Sequence, residues 1–358
     1  MALALSLGRR GQGQTWPNPA VGCVVVQNDR IVGRGWTAPS GRPHAETVAL
    51  AQAGDAARGA AVYVTLEPCA HYGATPPCAQ ALIDAGVARV VVAARDSDAR
   101  VAGRGFAMLR AAGIEVATGL CEAEALNDNM GFFHRIERGR PMVTLKLASS
   151  FDGRIATATG ESQWITQALA RRTVHALRAT HDAVMVGGGT ARDDDPTLNV
   201  RDLGVAHQPA RIVVSRRLDI PHDGKLARTA GDVPLILCHG ADAPAAVITA
   251  WRDLGATLFA CEIEGEQLDI TDVLHQLGTY GLTRIFSEGG SAMAASLLEA
   301  DLVDQLIGFS AGVVIGAEGL PGIGAIGLNR LDAAPRFDLV QTRAVGPDVM
   351  HMWVRNRN

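Results

Sequence analysis

Residues 44–47 read His-Ala-Glu-Thr, and residues 66–82 read LEPCAHYGATPPCAQAL. A histidine and a glutamate stand two apart, and two later cysteines each follow a proline directly. A catalytic zinc takes three protein ligands and keeps a further position for water. His44, Cys69 and Cys78 supply the three. Glu46 lies beside His44 at the start of a predicted helix, where its carboxylate reaches the same cleft without binding metal. Zinc brings the pKa of its water from ~15.7 to ~7, and a neighbouring carboxylate takes that proton and delivers it to a leaving amine. Taken singly, buried thiols and a surface histidine explain each residue equally well; the combination points to metal. A closed structural zinc is the competing reading. It takes His71 as fourth ligand and leaves Glu46 without a role.

The rest of the chain is far longer than such a site needs. At 358 residues it exceeds the size at which one core keeps growing, so two domains are expected. A formal net charge of −4 argues against a protein built to hold nucleic acid, although one basic pocket for a phosphate stays open. Six cysteines scattered along the chain do not form a disulfide framework. No apolar run is long enough to cross a bilayer, and the opening MALALSLGRR reads as a helix, since it has neither a basic leader nor a cleavage site. A cytoplasmic protein with reduced thiols is the expectation.

Strand and helix patterns alternate throughout, which predicts an α/β architecture. AVGCVVVQNDRIVGRGW reads as a hairpin turning at Asn28-Asp29, HAETVALAQAG as a helix ending at Gly54, and AAVYVTLEP as a buried strand. Helix-then-strand pairs follow to about residue 120. A second series opens with the strand in PMVTLKLASSFDGRIAT. LNDNMGFFHRIERGR, polar and carrying two glycines, reads as the link, which sets domains at residues 1–141 and 142–358.

His-x-Glu followed by Pro-Cys and a later Cys resembles the zinc deaminases of nucleobases and nucleotides, with eight residues between the cysteines in place of the commoner two. TLEPCAHYGATPPC, with PNPAVGCVVV upstream, resembles more closely the deaminase half of the bifunctional riboflavin-biosynthesis enzymes. TLKLASSFDGRIAT, GESQWIT, GGGTARDDDPTLNVR and FSEGG follow in the order of the reductase half, with Phe151 where family members usually have leucine. The resemblance runs from Gln14 to about Gly316. It departs at Asp96–Ala99, where DSDA stands for the usual Asp-Pro-Asn-Pro and leaves the shape of the loop to Arg100 undetermined.

What the resemblance implies is specific. The fold is a cytidine-deaminase-like three-layer domain followed by a dihydrofolate-reductase-like domain. The first removes an amine from a diaminopyrimidinone bearing a ribosylamino 5-phosphate, with His44, Cys69 and Cys78 on zinc and Glu46 as proton carrier. The second reduces the ribosyl group to ribityl with NADPH, with Lys146 at the reacting sugar. Ala148, Trp164, Thr190, Asp194, Ser215, Gly289 and Gly290 would contact NADPH. Asn18, Ser162, Arg178, Thr197, Leu198, Arg201 and Glu288 would contact substrate. The partner is thus a small phosphorylated pyrimidine, with no nucleic acid and no membrane, and a homo-oligomer is expected because family members commonly associate.

The residues alone leave alternatives. Each glycine cluster reads equally as a tight turn, Trp164 as a core aromatic, Arg178 as a solvated helix charge, and Arg216-Arg217 as either a receiver of a 2′-phosphate or a surface pair. Two other functions compete. A nucleic-acid-editing deaminase needs a basic channel or stacking aromatics near zinc, and aromatics make up only 4% of the chain. A zinc-stabilised nucleotide sensor would bind ligand without turnover.

Overall fold

The computed structural model describes residues 1–72, 76–98 and 101–356. The chain separates into two compact units, Met1–Gly139 and Arg140–Asn358.

The first unit is built on five strands, β1 (Gly22–Gln27), β2 (Arg30–Trp36), β3 (Ala61–Leu66), β4 (Arg89–Ala94) and β5 (Glu115–Thr118), in the order β2-β1-β3-β4-β5. Asn28 and Asp29 turn the first hairpin with φ of 50° and 58°, as a two-residue hairpin turn requires. Both faces of the sheet are covered. Along β1, Cys23 and Val25 join the larger core, while Val24 packs with Ala4 and Leu7 of the helix Ala2–Gly8 on the other face. Two glycines of β2 bring the helix Ala45–Ala53 onto the strand. A Cβ at Gly35 would lie 2.2 Å from the Ala45 carbonyl oxygen, and one at Gly33 2.1 Å from that of Ala49. This contact fixes the helix whose first turn carries Glu46.

Residues 126–140, expected to be a link, are instead mostly helical. Helices Glu122–Asp128 and Met130–Arg138 belong to the first unit. Phe132 and Phe133 are buried in its core with Ile136 packed beside them, and this apolar face outweighs the polar composition.

The second unit carries a nine-stranded sheet. Its strands are β6 (Met142–Ser149), β8 (Ala183–Gly187), β9 (Ala210–Val214), β10 (Leu235–His239), β11 (Thr257–Ala260), β14 (Arg284–Ser287), β15 (Gln305–Ser310), β17 (Phe337–Val345) and β18 (Asp348–Arg355). Short ribbons add β7 (Arg154–Ala156) with β16 (Leu320–Pro321), and β12 (Ile263–Glu264) with β13 (Gln267–Leu268). The sheet order is β11-β10-β9-β8-β14-β6-β15-β18-β17. All pairs from β11 to β15 are parallel, and the last two strands run antiparallel. In such sheets ligands bind at the carboxyl ends of the parallel strands. Strand β6 shows why: Met142 to Leu145 are buried, whereas Lys146 to Ser149 are half-buried.

A buried bidentate pair anchors the entry to β6. Arg140 holds Asp304 at 2.7 and 2.9 Å, and Asp304 also accepts the Val143 N–H.

Candidate active sites

Three elements converge in the first unit. His44 immediately precedes the helix Ala45–Ala53, Cys69 lies in the turn after β3, and Cys78 is the first residue of the helix Cys78–Asp84. His44 Nδ1 is 3.2 Å from Cys78 Sγ and 3.7 Å from Cys69 Sγ, and the ligand atoms of all three lie within 4.8 Å of one another. Zinc bonds of about 2.3 Å to sulfur and about 2.05 Å to nitrogen, set tetrahedrally, place the two atom types about 3.5 Å apart. The residues therefore fit zinc. Among the described residues this cluster has three members and His71 is not one of them, so a tetrahedral ion would keep a corner for water.

The cluster is electrostatically tuned. A hydrogen bond from Cys78, then the His44 imidazole, holds the Cys69 thiol down to about 4, and the Cys78 backbone N–H donates to Cys69 Sγ at 3.2 Å. Burial pushes Glu46 up to about 7; its side chain is 4% exposed and feels the Cys69 charge. Asn18 lies against Gly41, where a Cβ would fall 2.0 Å from Asn18 Nδ2 and where φ is +85°. Asp96 is buried and accepts the Asp98 N–H at 2.8 Å, while Ala99 and Arg100 lie outside the described residues.

Two supporting residues escaped the sequence reading. Glu67, 3% exposed, accepts the N–H groups of Gly103 at 3.0 Å and Gly105 at 3.2 Å, at the start of the helix Arg104–Ala111. Gly105 lets that helix start meet the turn, since a Cβ there would lie 2.1 Å from the Pro68 carbonyl oxygen. Glu67 thereby ties down the turn that carries Cys69.

In the second unit, parallel register creates a charged cluster. β14 and β6 pair Ser287 with Leu145, so the next residue on each strand sets Glu288 opposite Lys146. Lys146 Nζ is 3.4 Å from Glu288 Oε2, and Arg178 Nε is 2.5 Å from Oε1. Arg178 ends the helix Ala168–Arg178 and also donates to the Asn199 carbonyl at 2.8 Å. It is 12% exposed, so it is no solvated helix charge. Burial pushes the Glu288 carboxyl up, but the Arg178 and Lys146 charges outweigh it and hold it down to about 2. Asp194 is also within electrostatic reach of Lys146, whose charge favours its ionised carboxylate.

The remaining candidates lie on several other segments of the second unit. Thr197 Oγ1 donates to Asn199 Oδ1 at 2.7 Å, and Leu198 is buried with φ of 55°. Arg201 is exposed, and its backbone N–H lies 3.3 Å from Nδ1 of His175, a residue the sequence did not single out. The Gly187–Gly189 stretch is less a loop than a helix start, because Gly188–Asp194 is helical and contains Thr190 and Asp194. A Cβ on Gly290 would sit 3.4 Å from Thr190 Oγ1, and Gly289 packs on Met293. Ala148 is half-buried on β6 and Ser162 half-buried in the segment before the helix Ala168–Arg178. Trp164 is 64% exposed, with Arg171 lying 4.3 Å from its ring centre, so it is not a core aromatic.

Beside the carboxyl ends of β8 and β9 lies a cleft of about 410 Å³, lined by Gly188, Gly189, Arg192, Ser215, Arg216 and Arg217 among others. Arg216 and Arg217 share Asp242 at 3.0 and 3.3 Å. Backbone at Gly188 comes so near that a Cβ would lie 2.9 Å from Ser215 Oγ. Asp219 and Glu266 also line the cleft, and Arg192 pairs with Asp219 at 2.8 Å, so its three guanidinium groups are matched by carboxylates; the helix start and close backbone are what fit an anionic dinucleotide.

Comparison with known proteins covers both units. Residues 1–94 match the cytidine and deoxycytidylate deaminase zinc-binding region, and residues 141–351 the RibD C-terminal domain. The riboflavin biosynthesis protein RibD of Escherichia coli is 41% identical, over 98% of this chain and 96% of that one. RibD of Aquifex aeolicus is 39% identical, over 99% and 97%. Among solved structures, Acinetobacter baumannii RibD superposes with a TM-score of 0.88 at 37% identity over 99% and 98%. A Thermotoga maritima diaminohydroxyphosphoribosylaminopyrimidine deaminase/5-amino-6-(5-phosphoribosylamino)uracil reductase gives 0.87 at 30% over 99% and 97%. These matches run through both units, and they do not favour an editing deaminase with an appended binding domain. The chain belongs to the RibD family of bifunctional deaminase–reductases of riboflavin biosynthesis.

Proposed function

We propose that the two centres act in turn on one small molecule. The first unit hydrolyses an amine from 2,5-diamino-6-(5-phosphoribosylamino)pyrimidin-4(3H)-one. The second reduces the ribosyl group of the product to ribityl. The observation that carries the first step is the convergence of His44, Cys69 and Cys78 with a buried carboxylate, Glu46, two residues from His44.

His44, Cys69 and Cys78 would hold zinc, which when bound would supply the Lewis acidity that makes water acidic near neutral pH. Glu46 takes the proton from that water and gives it to the departing ammonia. The oxygen bonds to the ring carbon as the carbon–nitrogen bond breaks, so no oxidant is needed. Asn18, seated on Gly41, presents its amide to the pyrimidine edge.

In the second unit bound NADPH would supply the hydride needed at the sugar carbon that bears nitrogen, in the ring-opened imine form of the substrate. Lys146 steadies charge at the opening sugar, and its contact with Glu288 fixes its position. Arg178, at the end of its helix, and Arg201, in the segment that also carries Thr197 and Leu198, take the substrate phosphate, for which a planar guanidinium is well suited. Ser162 completes the substrate side. Ala148, Trp164, Thr190, Asp194, Ser215, Gly289 and Gly290 line the cofactor, with Arg216 and Arg217 beside its 2′-phosphate. We read the protein as a cytoplasmic enzyme that self-associates and binds no nucleic acid, in keeping with free thiols and a net charge of −4. Among the described residues no helix is long and apolar enough to cross a membrane.

Glu46→Gln tests the division of labour. Ammonia release should fall by a factor of about 10²–10⁴, while NADPH oxidation with the deaminated substrate stays at the wild-type rate. Undiminished ammonia release would remove Glu46 from the mechanism.

A further inference from the structure

We propose that His175 and Gln208 are positioning residues for the reduction: they hold the backbone that carries Arg201, so that its guanidinium meets the substrate phosphate together with that of Arg178. The inference rests on the phosphate reading given above and adds the side chains that keep it in place.

Residues 195–209 hold neither helix nor strand. Within them Leu198 and Asp202 take φ of 55° and 61°, a left-handed conformation that residues other than glycine keep only where their surroundings impose it. Between these two positions, side chains do what a neighbouring strand would do. The Asn199 carbonyl accepts Arg178 Nη1 at 2.8 Å. Gln208 spans both backbone groups of Val200: its Oε1 accepts the Val200 N–H at 2.7 Å, and its Nε2 donates to the Val200 carbonyl at 3.2 Å. The Arg201 N–H is aimed at Nδ1 of His175, 3.3 Å away. Three consecutive residues are thus pinned by three side chains, two of them with no other part in the reaction.

His175 suits this contact. It stands three residues before Arg178 on one helix, so the two side chains are neighbours on its surface. Nδ1 accepts an N–H only when the ring is neutral and its proton lies on Nε2. Burial, then the charges of Arg178 and Arg201, push the His175 pKa below its ordinary value, so the ring is neutral at pH 7. Nδ1 also lies 3.2 Å from the Asn199 carbonyl oxygen, but an N–H directed at Nδ1 excludes a proton there. Both guanidinium charges bear on this one imidazole, which puts them in reach of a common anion. A phosphate is the anion that two guanidinium groups fit best.

The preference for a phosphorylated substrate is the readout, because a general loosening of the unit would not change it. NADPH-dependent reduction of the deaminated substrate is measured with and without its 5-phosphate, and the ratio of the two kcat/KM values is taken. His175→Leu keeps the bulk and removes the acceptor; the ratio should fall about tenfold, through a higher KM for the phosphorylated substrate. Gln208→Leu should act alike, and it carries the test if His175→Leu does not fold. His175→Asn sets an oxygen where Nδ1 lies and should keep the ratio within about twofold of the wild type. Turnover of the dephosphorylated substrate reports that the second unit is folded. Arg201→Ala separates the clamp from the reading beneath it. If that variant leaves the ratio unchanged, Arg201 does not take the phosphate and the phosphate reading itself fails. If Arg201→Ala lowers the ratio while His175→Leu and Gln208→Leu do not, or if His175→Asn falls as far as His175→Leu, the phosphate reading stands and the clamp is overturned.

Discussion

Replacing Glu288 by glutamine should cost the second unit roughly 3 kcal/mol of stability at pH 7. The figure comes from the geometry of the cluster. Glu288 is 10% exposed and lies against two cations, and its carboxyl is held down to about 2 from an ordinary 4.5. That is about 2.5 pH units at about 1.36 kcal/mol each. Removing one partner of a buried ion pair costs ~3–5 kcal/mol in general, and here Lys146 and Arg178 would face each other without their carboxylate. Because the folded value is depressed, the stabilisation is complete above pH 4.5 and is lost as pH falls toward 2. Urea unfolding followed by tryptophan fluorescence is the assay, since an ionic denaturant would screen the cluster. The first unit should unfold as in the wild type and so serve as an internal reference, because each unit has its own core. Reductase activity should fall with the stability, while ammonia release persists. If Glu288→Gln unfolds within about 0.5 kcal/mol of the wild type, the carboxylate does not hold the two cations and the crevice is assembled by something else.

Other substitutions probe the first unit. Gly41→Ala places a Cβ where Asn18 Nδ2 now lies and strains a φ of +85°; deamination should drop at least ~10-fold through misplacement of the base, with reduction unchanged. Glu67→Ala releases the N–H groups of Gly103 and Gly105 from the turn carrying Cys69. Zinc affinity, measured by competition with a chromogenic chelator, should fall by about 10–100-fold, as for other outer-shell partners. Equal affinity would mean that the Cys69 turn holds itself.

The zinc cluster was legible because its residues sit in two short stretches, each beside a recognisable helix start. Glu67 stands inside the quoted LEPC, yet its partners begin at Gly103, and nothing local announces a contact across so much chain. The crevice was legible only in pieces. Lys146, Arg178 and Glu288 were each singled out, but Lys146 meets Glu288 through the register of β14 on β6 and Arg178 reaches it from a helix end, which no single segment encodes. Composition misled at residues 126–140, where polar residues hid the apolar face of Phe132, Phe133 and Ile136. The C-terminal hairpin escaped for the opposite reason. β17 is exposed on both sides, so it lacks the in-and-out alternation that marks a half-buried strand.

The most direct test of the account follows the substrate by mass. The zinc-loaded protein is given the diaminopyrimidinone ribosylamino 5-phosphate, with and without NADPH. Without NADPH the product should have exchanged one NH for one oxygen and gone no further. With NADPH it should gain two hydrogens as well, on the sugar. An unaltered amine in the presence of zinc, or a deaminated product that NADPH leaves unreduced, would contradict the assignment of two successive activities to this chain.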